Sequence, residues 1–185
     1  YKADYLESLE FGFKSVMSDG KLILNGALFM MDWNDFQSTT YNLDYSTVSF
    51  VDNVGNAEIN GLELDATYMP SDTLTLSAYM VKNDPSLSQD YYDVSGVLQA
   101  TAGNRLAYVP ELSSVGGFDA DVTVGGKPAY ISLDYSYTGD RYTGSDNTLL
   151  LPSYAIANMR IGREVGNTLT EIYMTNMTDE DGYLS

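Results

Sequence analysis

The chain has 185 residues and a formal net charge of −17, from 26 acidic and 9 basic side chains, and it contains no Cys and no His. Disulfide frameworks, Cys or His metal sites and Ser-His-Asp triads therefore cannot be built within it. The scarcity of basic residues also argues against nucleic acid as a partner, because phosphate neutralisation requires clustered Lys and Arg.

The aromatic content favours a boundary between apolar surface and water. The chain has 16 Tyr but only 6 Phe and 1 Trp, and Tyr is an amphipathic ring that suits such a boundary. No apolar run approaches the roughly 18 residues of a membrane-spanning helix. If the protein crosses a membrane, it must therefore do so with strands.

Period-two alternation of apolar and polar residues runs through most of the chain and predicts about eight antiparallel β-strands. The first is centred on Leu9, Phe11 and Phe13, and the second lies in a stretch that is apolar on both sides. Later strands show cleaner alternation, and the last is the weakest. In chain order the predicted strands are near Leu9–Phe13, Lys21–Phe36, Leu62–Tyr68, Thr73–Val81, Phe118–Val124, Ala129–Tyr137, Ala155–Ile161 and Thr168–Asn176.

The predicted connections alternate between short turns and long polar loops. The short turns carry the Gly, Pro, Asp and Asn residues of tight hairpins; they are Ser18–Gly20, Pro70–Asp72, Gly125–Lys127 and Val165–Asn167. The long segments are Gln37–Ser46, Asn83–Asn104, Gly139–Leu150 and the residues after Met177. This alternation is typical of an antiparallel outer-membrane β-barrel, with short turns at one end and long external loops at the other.

A barrel of this kind needs an apolar outer face and tolerates a polar lumen. Carboxylates on the polar sides of the predicted strands are interpreted as lumen-lining residues: Glu63, Asp65, Asp119, Asp121 and Asp134. Aromatic residues near the strand ends predict two girdles. Trp33, Tyr79, Tyr135, Tyr137 and Tyr142 fall toward the long loops, and Phe13, Tyr68 and Tyr130 toward the short turns.

Four segments of the sequence resemble the β-barrel of TonB-dependent outer-membrane receptors. The stretch VDNVGNAEINGLELDATYMPSDTLTLSAYM is similar to their signature hairpin, with Asn53-Val54-Gly55 followed by Ile59-Asn60-Gly61-Leu62-Glu63. LNGALFMMDWNDFQ, LDYSYTGDRYTGSDNTLLLPSYAIANMRIG and YMTNMTDEDGY resemble three further strands or hairpins of the family. The matches occur in the expected order over nearly the whole chain.

The resemblance implies a 22-stranded barrel of which residues 1–185 are a C-terminal portion, roughly strands 14 to 21. The N-terminal plug, the TonB box and the last strand would lie outside this sequence. Such a protein is a bacterial outer-membrane transport receptor and not an enzyme, and no cofactor or metal site is assigned. The implied partners are outer-membrane lipid, the TonB energy-transducing complex, a nutrient ligand and an accessory outer-membrane or surface protein. An iron chelate such as a siderophore is the default ligand, followed by cobalamin or an oligosaccharide.

Residues in two long loops are candidates for ligand contact. Aromatic rings can stack on sugar or chelate rings while charged groups fix orientation; the candidates are Asp90, Tyr91, Tyr92, Asp93, Arg105, Arg141 and Tyr142. The same residues could equally be solvated loop positions. Calcium binding by the acidic loops stays open, because oxygen ligands are plentiful but no loop has EF-hand spacing.

Two other functional classes share part of this pattern. A passive porin or structural barrel would have the same strands and girdles without a plug. A soluble all-β binding or adhesive module would have the Tyr and Gly content but no need for outward apolar faces. Catalysis by the paired carboxylates is disfavoured, because no spacing places a nucleophile beside a base.

Overall fold

The computed structural model describes residues 2–41, 49–93 and 96–182. Its secondary structure consists of β-strands, eight long and four very short. Their bounds are Tyr5–Met17 (β1), Leu22–Tyr41 (β2), Ser49–Ser71 (β3), Leu74–Leu87 (β4), Tyr91–Tyr92 (β5), Leu98–Ala100 (β6), Leu112–Val124 (β7), Lys127–Thr138 (β8), Arg141–Tyr142 (β9), Leu150–Leu151 (β10), Tyr154–Val165 (β11) and Thr168–Met174 (β12).

The eight long strands form one antiparallel sheet in the order β1-β2-β3-β4-β7-β8-β11-β12. The four short strands form two small pairs, β5 with β6 and β9 with β10, and each pair lies within a long loop. The predicted all-β, antiparallel arrangement of about eight strands is confirmed. Among the described residues, no helix is both long enough and apolar enough to cross a membrane.

Short turns join the long strands at one end of the sheet, as the sequence predicts. Gly125 and Gly126 link β7 to β8 with φ values of 58° and 72°. Two consecutive residues at positive φ match the right-handed twist of a hairpin, and glycine adopts this conformation at little steric cost. Asp72 and Thr73 form the turn after β3, so that strand includes the first two residues of the predicted turn, Pro70 and Ser71.

The register places the predicted lumen-lining carboxylates on one face of the sheet, here called the acidic face. Asn25 Nδ2 donates a hydrogen bond to Asp65 Oδ1 at 2.9 Å, and Ser132 Oγ donates to Asp119 Oδ1 at 2.7 Å. Cross-strand pairing extends this face over the sheet, since side chains alternate between faces along each strand. The five carboxylates on it are Glu63, Asp65, Asp119, Asp121 and Asp134.

The opposite face is apolar and carries large exposed side chains. One cross-strand row joins four strands, with Leu76 opposite Phe118, Phe118 opposite Leu133 and Leu133 opposite Met159. Phe11, on the same face, is 79 % exposed. An apolar surface of this extent is unfavourable in water and suits a hydrocarbon environment.

Aromatic rings cover glycines on the neighbouring strand at three directly opposed positions. A Cβ atom at Gly61 would collide with the ring of Phe29, which is itself only 7 % exposed. Glycine thus leaves room for the ring to lie against the backbone, a device that offsets the missing side chain. The three pairs are Phe13 with Gly26, Phe29 with Gly61 and Tyr130 with Gly162.

A β-bulge near the long-loop end of β2 brings two aromatic residues to the same face. The pairing of β2 with β3 shifts between Trp33 and Phe36, and Asp35 adopts a φ of 53°. In a regular strand residues three apart point to opposite faces, whereas the inserted residue restores a common face. The ring centroids of Trp33 and Phe36 are consequently 5.3 Å apart.

The structure corrects the predicted loop boundaries. β2 continues to Tyr41 and β4 to Leu87, so the residues from Gln37 and from Asn83 begin as strand and not as loop. The alternation of apolar and polar residues does not continue through these two strand ends, so it does not mark them. The remainder of the predicted loop Gln37–Ser46 extends beyond the described residues at positions 42–46.

Three of the predicted girdle residues do not lie on the apolar face of the sheet, so their assignment to a girdle is wrong. Tyr79, Tyr130 and Trp33 lie on the acidic face, as their cross-strand partners Asp65, Asp121 and Ala57 show. Their position near a strand end suggested a girdle, but their place in the alternation decides the face. The predicted girdle residues that do lie on the apolar face are Phe13, Tyr68, Tyr135 and Tyr137.

Candidate functional site

The candidate site is the long-loop end of the sheet, where two loops fold against the strand ends. The first loop comprises residues 88–93 and 96–111, and the second comprises residues 139–153. Together they contain all seven residues predicted to contact ligand.

A small hydrophobic cluster, here called the rim cluster, anchors the first loop to the sheet. Its buried members come from β2, β3, β4 and the loop itself: Phe36, Val54, Ala57, Leu87, Ala100 and Leu106. Trp33 and Tyr91 pack against it as partly buried residues. The loop therefore has its own apolar base, which stabilises it by removing about six side chains from water.

Backbone hydrogen bonds extend this anchoring along β4. Leu106 N donates to Pro85 O at 3.0 Å, and Leu87 N donates to Asn104 O at 2.8 Å. Ser86 and Arg105 form an antiparallel bridge between these contacts. Residues 103–106 thus lie alongside the end of β4, on the same edge that pairs with β7 at residues 74–82.

The acidic candidates of the first loop stabilise the loop's own hairpin. Asp90 Oδ1 accepts a hydrogen bond from Ala102 N at 2.9 Å. Asp93 Oδ1 accepts from Val97 N and Oδ2 from Gln99 Nε2, both at 2.9 Å. Carboxylates that accept hydrogen bonds in this way order a polar turn.

The two tyrosines between these carboxylates occupy different environments. Tyr91 packs against the rim cluster, whereas Tyr92 is 54 % exposed and its hydroxyl lies 3.4 Å from Asp90 Oδ2. Successive residues of β5 point to opposite sides, which explains the difference. Of this pair, Tyr92 is the ring that faces solvent.

Arg105 links the two loops through its guanidinium group. Nη1 donates to Asp140 Oδ2 at 3.0 Å and Nη2 donates to the Asp140 carbonyl oxygen at 2.6 Å. Nε lies 3.2 Å from Glu111 Oε1, within the first loop. The guanidinium carbon is also 5.3 Å from the centre of the Tyr142 ring, a cation–π distance. Arg105 therefore contacts both sides of the junction.

Asn147 completes the junction from the second loop. Its Oδ1 accepts from Arg105 N at 2.7 Å and its Nδ2 donates to Arg105 O at 2.9 Å. One side-chain amide thus satisfies both backbone groups of Arg105, as a neighbouring strand would. Asn147 has a φ of 55°, a conformation that Asn adopts more readily than most residues.

Two further hydrogen bonds join the loops on either side of this pair. Asn104 Nδ2 donates to Ser145 O at 2.9 Å, and Tyr108 N donates to Tyr142 O at 2.8 Å. The second loop is therefore docked on the first along much of its length.

Arg141 is the other cationic candidate and is only 5 % exposed. Its guanidinium carbon lies 5.6 Å from the ring centre of Tyr154, where it can interact with the face of the ring. Both arginines of the predicted ligand-contact set are thus enclosed by protein groups.

The structure brings some of the predicted candidates together and leaves others apart. Arg105 contacts Tyr142, and Asp90 contacts Tyr92, but the two groups belong to different parts of the loops. Sequence reasoning missed Asn147, Glu111 and Asp140 as partners of Arg105. The signal for Asp140 and Asn147 was weak, because they are 35 and 42 residues away in sequence.

The acidic face has its own polar contacts. None of its five predicted lumen-lining carboxylates pairs with a cation within the described ranges. A separate ion pair on that face joins Arg160 Nε and Glu171 Oε1 at 3.9 Å. Over the same ranges, acidic side chains do not converge in threes into a metal-binding group.

Comparison with known proteins places this architecture in a family. The family model described as TonB dependent receptor-like, β-barrel matches residues 2–176. The chain belongs to the TonB-dependent receptor β-barrel family. It is accordingly part of a bacterial outer-membrane protein, and the interpretation as a soluble module is excluded.

Solved structures share the fold at low sequence identity. The ferric yersiniabactin uptake receptor FyuA from Yersinia pestis is 18 % identical with a TM-score of 0.75, over 95 % of this chain and 25 % of that one. The siderophore receptor PiuA from Acinetobacter baumannii is 21 % identical with a TM-score of 0.75, over 95 % and 24 %. The copper transporter OprC is 16 % identical with a TM-score of 0.72, over 98 % and 26 %.

The chain spans about a quarter of the length of these solved structures. Their names describe uptake receptors and a transporter, not enzymes, and this agrees with the prediction that the chain is not an enzyme. No curated protein matches the chain at a significant level.

Proposed function

We propose that the chain forms part of the wall and external loops of a receptor that takes up an iron chelate with energy supplied through TonB. The observation that carries the proposal is the family match over residues 2–176. The names of FyuA and PiuA, which refer to ferric yersiniabactin and siderophores, favour an iron chelate over cobalamin or an oligosaccharide. The rest of the protein would supply the remaining strands, the plug and the TonB contact.

Within this proposal the acidic face lines the lumen and the apolar face meets lipid. Hydrogen bonds among Asn25, Asp65, Ser132 and Asp119 support a wet environment on the first face. The large exposed side chains on the other face, such as Phe11, support a lipid environment. The carboxylates of the acidic face that have no cationic partner on the sheet would pair with basic groups of the plug.

We assign the seven loop candidates two different roles. Tyr92 would contact the ligand directly, because its ring is exposed and its neighbours hold it in place. Asp90, Tyr91, Asp93, Arg105 and Arg141 would hold the loops in shape, because each is engaged by protein groups. Tyr142, stacked against Arg105, would present its free edge to the ligand.

The test uses the native bacterium with the complete gene either present or deleted. Uptake of radioactive iron is measured from a ferric trihydroxamate, a ferric tris-catecholate and ferric citrate, with labelled cobalamin and a maltooligosaccharide as comparisons. We expect uptake of one ferric complex to be lost on deletion and also when TonB is disrupted.

The other outcomes contradict separate parts of the proposal. Loss of cobalamin or oligosaccharide uptake alone would show that the ligand is not an iron chelate, while the role as a receptor would stand. Gene-dependent uptake that persists without TonB would indicate a passive porin.

A further inference from the structure

We propose that Arg105 is a positioning residue that joins the two external loops into one rigid body on the rim of the barrel. The loops are separated by β7 and β8 in sequence, and nothing in the chain's connectivity requires them to move together. The contacts at Arg105 supply that connection in two independent ways.

The first connection is ionic. The Arg105 side chain is 16 % exposed, whereas those of Asp140 and Glu111 are 50 % and 52 % exposed. The guanidinium forms charge-assisted, geometrically fixed hydrogen bonds to the carboxylate and the carbonyl of Asp140, and an ion pair with Glu111. A lysine could replace the charge but could not reach all three groups at once.

The second connection uses the backbone. Asn147 binds both the N–H and the carbonyl of Arg105, so it adds a backbone contact to the ionic contacts of the side chain. Its Nδ2 also lies 3.2 Å from Gly144 O, which ties the same amide to its own turn. The second loop therefore orients the Asn147 amide that binds the backbone of the first loop.

The rim cluster fixes the combined body to the sheet. Leu106, next to Arg105, is 5 % exposed and packs among residues of β2, β3 and β4. A displacement of either loop would have to break the apolar contacts together with the polar junction. We therefore expect this part of the receptor to respond to ligand as a unit.

The experiment measures the distance between spin labels on the two loops in the complete receptor, folded in detergent. The labels replace Leu98 and Leu149, which are 46 % and 59 % exposed. Pulsed electron–electron double resonance should give one narrow distance distribution for the otherwise unchanged protein. Arg105→Ala should broaden it, Arg105→Lys should have an intermediate effect, and Arg163→Ala, at the short-turn end, should have none.

Asn147→Gly provides a second variant that leaves every charge in place. Glycine accepts a positive φ, so this substitution removes the side-chain amide without backbone strain. We expect broadening here too, with roughly tenfold faster amide hydrogen exchange in both loops, since local opening governs exchange.

The outcomes are decisive in both directions. Broadening by Arg105→Ala supports the proposal, and if that variant does not assemble, Asn147→Gly decides alone. A broad distribution in the unchanged protein, or a narrow one in Arg105→Ala, would overturn it. Because the labels report without ligand, this result is independent of the cargo and of TonB.

Discussion

At the scale of single residues, glycines leave room for aromatic rings from the neighbouring strand to lie against the backbone. Phe29 occupies the space above Gly61, and the same arrangement recurs with Tyr130 above Gly162. Burial of a ring against backbone contributes apolar contact that a small residue could not provide alone.

We expect Gly61→Ala to destabilise the receptor by about 1–3 kcal/mol, the usual cost of overpacking. Gly116→Ala is the matched control, because the nearest heavy atom to its Cβ would be Ser77 O at 3.8 Å. The measurement is the urea midpoint of unfolding in detergent. Equal midpoints for the two variants would show that the ring moves aside freely.

Tyr92→Ala should weaken binding of the ferric complex identified by uptake about tenfold, because a stacked ring contributes roughly 1–2 kcal/mol to ligand contact. Tyr92→Phe keeps the ring and loses only the long hydroxyl contact to Asp90, so it should bind nearly normally. Equilibrium binding to purified receptor gives the comparison. If the alanine variant binds like the unchanged protein, Tyr92 is a solvated loop residue.

At the scale of strands, the longest strand is much longer than the thickness of a bilayer, so part of it must lie outside the membrane. β3 has 23 residues, which at about 3.3 Å per residue gives roughly 75 Å. A tilted strand needs about 9–11 residues to cross the bilayer, so more than half of β3 stands outside it. The bulge and the rim cluster lie toward the long-loop end of this excess.

Phe36→Ala should remove the aromatic ring that the bulge places in the rim cluster. The first loop would then lose part of its apolar base. We expect faster hydrogen exchange in residues 96–111, with little change in β7 or β8. Phe11→Ala is the control, because Phe11 is exposed on the apolar face of β1 and lies outside the rim cluster. Unchanged exchange in Phe36→Ala would contradict the role of the rim cluster.

The sequence was sufficient for the strands and short turns but not for the loop interior. Alternation in β4, β7 and β8 follows directly from a sheet that meets apolar and polar surroundings on its two faces. The strand ends beyond the membrane need no such alternation, so the pattern predicts loop from Gln37 and from Asn83 onward. The Arg105 junction depends on partners that only the folded chain brings close, and no local pattern reveals them.

At the scale of the whole molecule, the two faces of the sheet predict opposite responses to charge. Leu133 lies in the apolar row between Phe118 and Met159, and Ser132 beside it lies on the acidic face near Asp119. Neighbouring residues of one strand thus meet different surroundings.

Leu133→Arg should destabilise the assembled receptor by up to about 2–4 kcal/mol, the cost of arginine on a lipid-facing barrel surface near the bilayer midplane. Ser132→Arg should be tolerated, because it adds a cation beside carboxylates on the wet face. The fraction of folded receptor in lipid vesicles at increasing urea measures both. A larger loss for Ser132→Arg would reverse the assignment of the faces.

The ring-over-glycine pairs also tie together the positions at which this sequence can change over generations. A side chain at position 61 collides with Phe29, and a smaller residue 29 leaves a gap above the glycine. Either change alone is therefore selected against, whereas the two together restore the packing. Positions 29 and 61 should consequently vary as a pair among related barrels.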